Sequence, residues 1–543
     1  MEENADVRVP VLVVGGSLVG LSTSLFLSRH GIRHLLVEKH AGTSAHPRGR
    51  GINARTMELF RTAGAEPAIR RAAAVLEGIQ GILQAQSLTS GEHTWLIKSI
   101  DPSGAIARFS PTAWCLCSQN NIEPELATQS RAQGADVRFS TELMSFDQDA
   151  TGVTALVKNR ETGEHLTVRA DYMIAADGPR SPVREALGIP QTGNGELFHN
   201  VSVTFRSERL VKVLGDLRFI VCYLMRPGAD GALLPVDNST QWVFHAPWHP
   251  DRGETLEDFT DERCVDQIRE AIGVPDLDVE IGGKAPWHAA ERVAVSYSSG
   301  RVFLVGDAAH EMSPTGAFGS NTGIQDAHNL AWKVAAVLDG SAGRELLDTY
   351  EEERLPVARA TSERASARSA EHSHPGYAPP PTMGGGPGSG VLTTAMGYCY
   401  PRGAVVGGDA ERPVIPEALR LAGDVGTRAP HMWLTRAGAK ISTLDLYERS
   451  FVLMSGHGTP WRAAAEEVAG RLSARLTAYT IGSAPGADLI QPADADWAEV
   501  HEMTPEGAVL VRPDGFVAWR SEGAVADPSA VLLDVMSELL RRA

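Results

Sequence analysis

A chain of 543 residues is too long for one compact core, and domains of roughly 100 to 200 residues make two to four folding units the expectation. Hydrophobic residues make up 43% and charged residues 22%, an ordinary globular composition that excludes a disordered chain. The net charge of -17 argues against a surface built to hold nucleic acid, and no segment reaches the roughly 18 uninterrupted apolar residues needed to cross a bilayer.

Val9 to Val14 is a short apolar run that ends in Gly15-Gly16, and apolar residues then recur at helical spacing from Val19 to His30. Gly31 closes that helix, and Arg33 to Val37 supplies a second strand ending at Glu38, so the chain opens as βαβ. Such a unit binds a dinucleotide when glycines allow the tight turn, the approach of the pyrophosphate and close helix packing. The frame here is Gly15, Ser17 and Gly20, with serine at the second position and Gly16 beside it to supply backbone freedom. Glu38 lies 18 residues after Gly20, where a strand-end carboxylate accepts ribose hydroxyls, with Lys39 next to it. The helix start at Ser17, Leu18 and Val19 offers unpaired N–H groups to phosphate.

The segment HPRGRGINARTMELF, His46 to Phe60, clusters Arg48, Arg50 and Arg55 in an otherwise acidic chain. Guanidinium holds phosphate oxygens in bidentate fashion, so Arg48 and Arg50, ahead of Arg55, are expected to balance the charge of a pyrophosphate and of NADPH. A solvated basic loop is the alternative. Gln119 stands before an amphipathic helix, able to reach a cofactor or to cap the helix.

Further along, Asp171 to Ala176 delivers Asp177-Gly178, and Arg301 to Val305 delivers Gly306-Asp307. Between them, Gly193 to Lys284 is rich in alternating and β-branched stretches, which predicts a mainly antiparallel sheet. Asp307 sits where a carboxylate can hold a ribityl chain. Pro314, Gly316, Gly319 and Gly323 then leave little side-chain bulk before a helix expected from about Ile324 to Lys333, whose start directs partial positive charge at a ring that becomes anionic on reduction. From His374 to Gly390 the density of Pro and Gly predicts a linker, and an independent α/β domain follows from about Gly403, with a helical close from Asp527 to Arg541.

The opening unit, ADGPRSPVR from Ala176 to Arg184, and the segment around Asp307 occur in the order seen in class A flavin-dependent aromatic hydroxylases. The stretch TGAFGSNTGIQDAHNLAWK resembles the branch acting on aromatic polyketides, the aklavinone hydroxylase group, and the likeness covers essentially the whole chain. It implies a p-hydroxybenzoate hydroxylase-like α/β fold. A discontinuous Rossmann-like FAD domain takes residues 1–185 and 285–373, a sheet-rich α+β substrate domain 186–284, a linker 374–402, and a thioredoxin-like domain 403–543. That last domain holds no cysteine, so a dithiol role there is excluded.

In the family NADPH reduces FAD, O2 adds at C4a, and the hydroperoxide delivers one oxygen atom to an electron-rich aromatic carbon. The resemblance assigns Asp177, Gly306, Asp307, Pro314, Gly316, Gly319, Ser320 and Asn321 to the cofactor, with Pro314 also beside the chemistry. Tyr223 is the first candidate for taking or stabilising the phenolic proton and Arg368 the second, while Trp287 and Phe318 are candidates for lining a flat polycyclic pocket. Core packing is the alternative for Tyr223, Trp287 and Phe318. No histidine spacing suggests a metal, and none is expected. The expected partner is a small aromatic substrate, with neither nucleic acid nor membrane, in a monomer or homodimer. Five scattered cysteines and a polar, acidic start place the chain in the reducing cytoplasm. Baeyer–Villiger insertion, oxidative ring rearrangement, a flavin reductase and a non-catalytic flavin carrier remain open alternatives.

Overall fold

The computed structural model describes residues 5–371, 390–483 and 485–542, with backbone alone at 368–371. The Pro- and Gly-rich run from 374 to 389 lies outside the described residues.

The first sheet forms around Val7–Val14, whose last four residues are fully enclosed. Strands His34–Val37 and Asp136–Arg138 lie on one side and His165–Ala175 and Val302–Leu304 on the other, all parallel. Such strands are covered on both faces and therefore read as continuous apolar runs. Helix Leu18–Arg29 covers one face and packs against helix Phe318–Leu338, with Phe26 edge-on to His328 at 4.8 Å. Burial pushes the His328 imidazole down to about 3, so it is a neutral core residue.

The second sheet runs, in spatial order, His310–Glu311, Glu280–Ala294, Gln191–Arg206, Gln241–Trp248, Gly231–Pro235, Val221–Leu224, Ile82–Ala85 and His93–Ile97. Its pairings are antiparallel except that of Val221–Leu224 with Ile82–Ala85. Two features differ from the sequence-based division. Residues 82–97, expected with the dinucleotide unit, extend the second sheet because Leu83 seals its apolar core beside Cys222 and Leu224. The boundary expected at 284 falls inside the continuous strand Glu280–Ala294, so one strand joins the two regions.

Helix Phe318–Leu338 also begins six residues before the expected start at Ile324. The reversal is made earlier, by Gly316 (φ 87°) and Ala317 (φ 55°), and Gly319 and Gly323 lie inside the helix. The expected linker does not extend to 402 either. Val391–Met396 is a helix, and Tyr398 and Tyr400 are buried against Phe516, with ring centroids 5.4 and 4.3 Å away.

The third sheet has the order Ala439–Ser442, Trp433–Arg436, Leu489–Ile490, Leu476–Gly482, Phe451–Gly456, Ala508–Val511 and Val517–Ser521. Helices Trp461–Leu472 and Pro528–Leu539 pack against it, the latter capped by Asp527, whose carboxylate accepts from Ala530 N at 3.0 Å. Among the described residues, no helix is long and apolar enough to cross a membrane, and the five cysteines are unbridged and buried.

Candidate active site

The glycines after the first strand are fixed by contact. Gly15 has φ 104°, and a Cβ there would stand 2.2 Å from the Ala176 carbonyl oxygen; one on Gly20 would stand 1.8 Å from the Gly15 carbonyl oxygen. Neither position admits a side chain, and the turn is left open to a ligand's phosphates at the start of helix Leu18–Arg29. Glu38 stands at the end of the neighbouring strand. One of its oxygens accepts from Gly16 N at 2.6 Å, which leaves it a lone pair for a ribose hydroxyl, and the other meets His40 N at 2.8 Å and His40 Nδ1 at 2.5 Å. Ser17, the departure from the glycine pattern, is held by a group that sequence reading missed. Its hydroxyl donates to Glu123 at 2.6 Å and accepts from Gln119 at 2.8 Å, while Glu123 also takes Ser44 N at 2.8 Å. Gln119 therefore braces the loop rather than capping its helix. Its spacing to Glu123, one helical turn on, is the signal that was available. Lys39 is exposed beyond Glu38.

Asp307 follows Gly306 (φ 61°), where a Cβ would press on Val19 at 2.9 Å. Its carboxylate makes no hydrogen bond within the described residues and is open to solvent, yet the crowding of protein around it pushes its pKa up. An aspartate both accessible and hemmed in stands on the wall of a cleft. Gly323 lets the long helix approach, since a Cβ there would lie 2.7 Å from Gly306 Cα. The Asn321 side chain donates to the carbonyls of Gly51 (2.8 Å) and Ala317 (2.6 Å) and accepts from Asn53 N (3.0 Å), tying the 51–53 segment to the helix start. Pro314 is exposed on this loop, Gly319 and Ser320 are half-buried in the first helical turn, and Phe318 is buried beside Gly316. Asp177 is occupied locally, accepting from Ser181 Oγ (2.6 Å) and Val183 N (3.1 Å).

Behind the cleft, Asp326 takes His310 Nε2 at 2.7 Å, Arg354 Nε at 2.7 Å and Gly306 N at 3.3 Å, and Arg354 donates to Tyr400 Oη at 3.1 Å. The Asp326, His310 and Arg354 side chains are wholly enclosed. The group fixes the turn carrying Asp307, and nothing in the local sequence pattern announces it.

The second sheet has one apolar and one polar face. Val201, Val203, Phe205, Phe244 and Leu233 enter a core with helix Asp261–Ile272. Alternation sends the intervening residues the other way. Cross-strand register then aligns Ser202, His245, Ala232, Tyr223 and Gln84 in one row, with Asn200 and Trp287 paired two residues along. Trp287 Nε1 donates to His245 Nδ1 at 3.3 Å, and its ring meets Phe198 edge-on at 5.8 Å. Asn200 Nδ2 and Ser202 Oγ are buried without hydrogen-bond partners among the described residues. Unpaired buried polar atoms are costly, so this face keeps capacity to bond a ligand. Burial pushes the Tyr223 phenol up to about 12.

The basic loop meets the same face. The Arg50–Pro235 hydrogen bond ties the loop to the sheet, and burial, then Arg48, pull the His46 imidazole down. Arg48 is exposed; Arg50 is buried and donates to the Pro235 carbonyl. Arg55, the third arginine of the cluster, turns away to Glu58 (3.2 Å) and the Asp514 carbonyl (2.6 Å), serving the interface with the C-terminal region instead of a phosphate. Arg368 falls in the last turns of helix Thr349–Glu371, and its side chain lies outside those described. Among the described residues, no cluster of three or more His, Cys, Asp or Glu side chains is arranged to hold a metal.

The glycine turn, Glu38 and the open Asp307 fit an adenine dinucleotide with a flavin end. Residues 8–365 match the FAD binding domain family and residues 422–543 the aromatic-ring hydroxylase C-terminal family. The chain belongs to the FAD-dependent aromatic-ring hydroxylases.

Within that class it is similar to a "putative polyketide hydroxylase" of Streptomyces halstedii, at 66% identity covering 95% of this chain and 94% of the relative. It is also similar to "tetracenomycin A2 monooxygenase-dioxygenase" of Streptomyces glaucescens, at 41% identity over 98% and 97%. The solved ternary complex of aklavinone-11 hydroxylase with FAD and aklavinone superimposes with a TM-score of 0.87, at 36% identity, covering 99% of this chain and 100% of that one. The sequence-based resemblance to the polyketide branch of the aromatic hydroxylases is thereby borne out.

Proposed function

We propose that this chain is a FAD-dependent monooxygenase that consumes NADPH and O2 and inserts one oxygen atom into an aromatic polyketide, a polycyclic phenol or quinone. The observation carrying this reading is the polar face of the second sheet, where Asn200 Nδ2 and Ser202 Oγ are buried without a hydrogen-bond partner among the described residues, together with a helix start stripped of side-chain bulk. A flat ring slotted between them would meet polar side chains at its edge. Bound FAD supplies the electron acceptor for NADPH and the group that transfers oxygen.

The protein's own residues hold the cofactor and prepare the substrate. Glu38 would hold the ribose, the turn from Gly15 through Ser17, Leu18 and Val19 to Gly20 the pyrophosphate, and Asp307 the ribityl chain. Arg48, Lys39, Asp177 and Gln119 line or brace that path, and Gly306, Pro314, Gly316, Gly319, Ser320 and Asn321 shape the floor under the ring. Tyr223, held protonated by burial, is no base at neutral pH. It donates a hydrogen bond to the substrate's phenolic oxygen, which stabilises the phenolate and raises the electron density of the ring carbon that is attacked. Trp287 and Phe318 bound the polycycle and exclude water.

Residues 422–543 form a thioredoxin-like unit. Support comes from the strand order Val517–Ser521, Ala508–Val511, Phe451–Gly456, Leu476–Gly482, with the last pair parallel and joined by helix Trp461–Leu472. The enzyme works in the cytoplasm as a monomer or homodimer.

The test is the absorbance spectrum of the purified protein, then NADPH oxidation in air with and without hydroxylated naphthacenequinones. A flavin spectrum and substrate-stimulated oxidation, with a product heavier by one oxygen, are expected. No bound flavin after reconstitution overturns the cofactor, and reduction without oxygen transfer overturns the monooxygenase.

A further inference from the structure

Arg50 differs from the other buried arginines in how little it is bonded. Arg55, Arg354, Arg428 and Arg512 each face a carboxylate: Glu58 at 3.2 Å, Asp326 at 2.7 Å, Glu58 at 2.5 Å and Glu353 at 2.7 Å, and Arg184 donates to two carbonyls, of Pro179 and Ala308, at 3.0 Å each. Arg50 is only 8% exposed and has no carboxylate within ion-pair distance among the described residues. Among the described residues its one hydrogen-bond partner is the Pro235 carbonyl, at the end of strand Gly231–Pro235 in the substrate-side sheet, and its Nε has none. Burial without an opposing charge pushes the guanidinium down to about 10, so it remains a cation at neutral pH. A buried cation with donors to spare is costly until an anion completes it.

The position of Arg50 decides which anion. Its neighbour Gly51 abuts the start of the long helix, where a Cβ on Gly51 would lie 2.9 Å from Ala317 Cβ, and the Gly51 carbonyl is held by Asn321. That is the ring end of the cleft. The phosphate end lies at Gly15 and Ser17, and exposed Arg48 remains available to it. Pro235 pairs with Trp242 on the sheet whose polar face carries Ser202 and Asn200, so Arg50 is anchored to the substrate-side sheet.

We propose that Arg50 is a specificity-determining residue that binds an anionic oxygen group, a ring carboxylate, on the aromatic substrate, with its guanidinium pinned by the Pro235 carbonyl. The inference rests on the reading that an aromatic ring occupies the space between the second sheet and the flavin.

The probes are anthraquinone-2-carboxylate and its methyl ester, titrated into the FAD-loaded enzyme without NADPH and read from the flavin absorbance change. Wild type is expected to bind the acid at least about tenfold more tightly than the ester, the scale of one charged hydrogen bond. Arg50→Met is expected to erase that preference, with FAD affinity unchanged, and Arg50→Lys to keep part of it. No preference for the acid in wild type, or the same preference in Arg50→Met, overturns the proposal. So does loss of FAD affinity in Arg50→Met with the preference intact, which would assign Arg50 to the cofactor. Because nothing turns over in this titration, its outcome is independent of whether oxygen is transferred.

Discussion

Buried polar groups lie on both sides of helix Phe318–Leu338, and they differ in how fully they are bonded. Toward the C-terminal region, Glu353 takes Lys333 Nζ at 2.8 Å, Arg512 at 2.7 and 2.8 Å, Asn329 Nδ2 at 2.7 Å and Ala404 N at 2.8 Å. Toward the substrate-side sheet, Arg50 Nε, Asn200 Nδ2 and Ser202 Oγ are buried with no partner among the described residues. Burial alone therefore does not identify a functional group. The Glu353 carboxylate has its partners in full, a closed set, as a structural group requires, whereas these three atoms keep open capacity for a ligand.

The largest expected effect breaks the closed set. Arg512→Ala leaves Glu353 buried beside too few donors, and a loss of about 3 to 5 kcal/mol is expected in chemical denaturation, with activity per folded molecule retained. Burial by itself would raise the Glu353 carboxyl, but Arg512 and Lys333 hold it down to about 2. A depressed carboxylate contributes stability that is full above its unfolded value and lost as pH falls through the folded one. Stability from this group should thus decline from about pH 4.3 toward pH 2, and Arg512→Ala should flatten that limb of the pH–stability curve.

On the open side, Asp307→Ala is expected to weaken FAD binding by about 10- to 100-fold in a fluorescence titration, the scale of charged hydrogen bonds, while leaving the melting temperature of the FAD-free protein unchanged. Unaltered FAD affinity would remove Asp307 from the cofactor. Tyr223→Phe comes next: oxygen transfer should slow by about tenfold or more while NADPH-driven flavin reduction continues. With the phenol pushed up to about 12, no inflection from Tyr223 is expected in the rate profile between pH 6 and 9, and equal hydroxylation by both enzymes would sink its assignment. The smallest effect sharpens the contrast. Ser202→Ala removes a hydroxyl with no hydrogen-bond partner among the described residues, so its stability should stay within about 0.5 kcal/mol of wild type as substrate affinity falls.

What the sequence disclosed follows from the range of the interactions involved. The opening strand, turn and helix, the carboxylate at Glu38 and the turn before Asp307 are local patterns whose residues lie within one βαβ unit or one loop. The apolar and polar faces of strand Gln191–Arg206 were likewise readable by alternation. The addition of residues 82–97 to the second sheet was not, because short strands do not specify a partner 139 residues away, as Leu83 has in Cys222. Glu123, Asp326, Arg354 and the Asn200–Ser202–His245 surface share that difficulty, since each acquires its role from register or packing between distant segments. The cluster at Arg48, Arg50 and Arg55 shows the limit most sharply. Three arginines within eight residues read as one basic patch, and the backbone sends one outward, one to the sheet and one to the C-terminal interface.

The most direct measurement is mass spectrometry of the product formed from a hydroxylated naphthacenequinone by the FAD-loaded enzyme with NADPH under oxygen-18 gas. One labelled oxygen atom in the product for each NADPH consumed is the expected result. NADPH consumption with an unlabelled or unchanged aromatic compound, and hydrogen peroxide as the sole fate of oxygen, would contradict it.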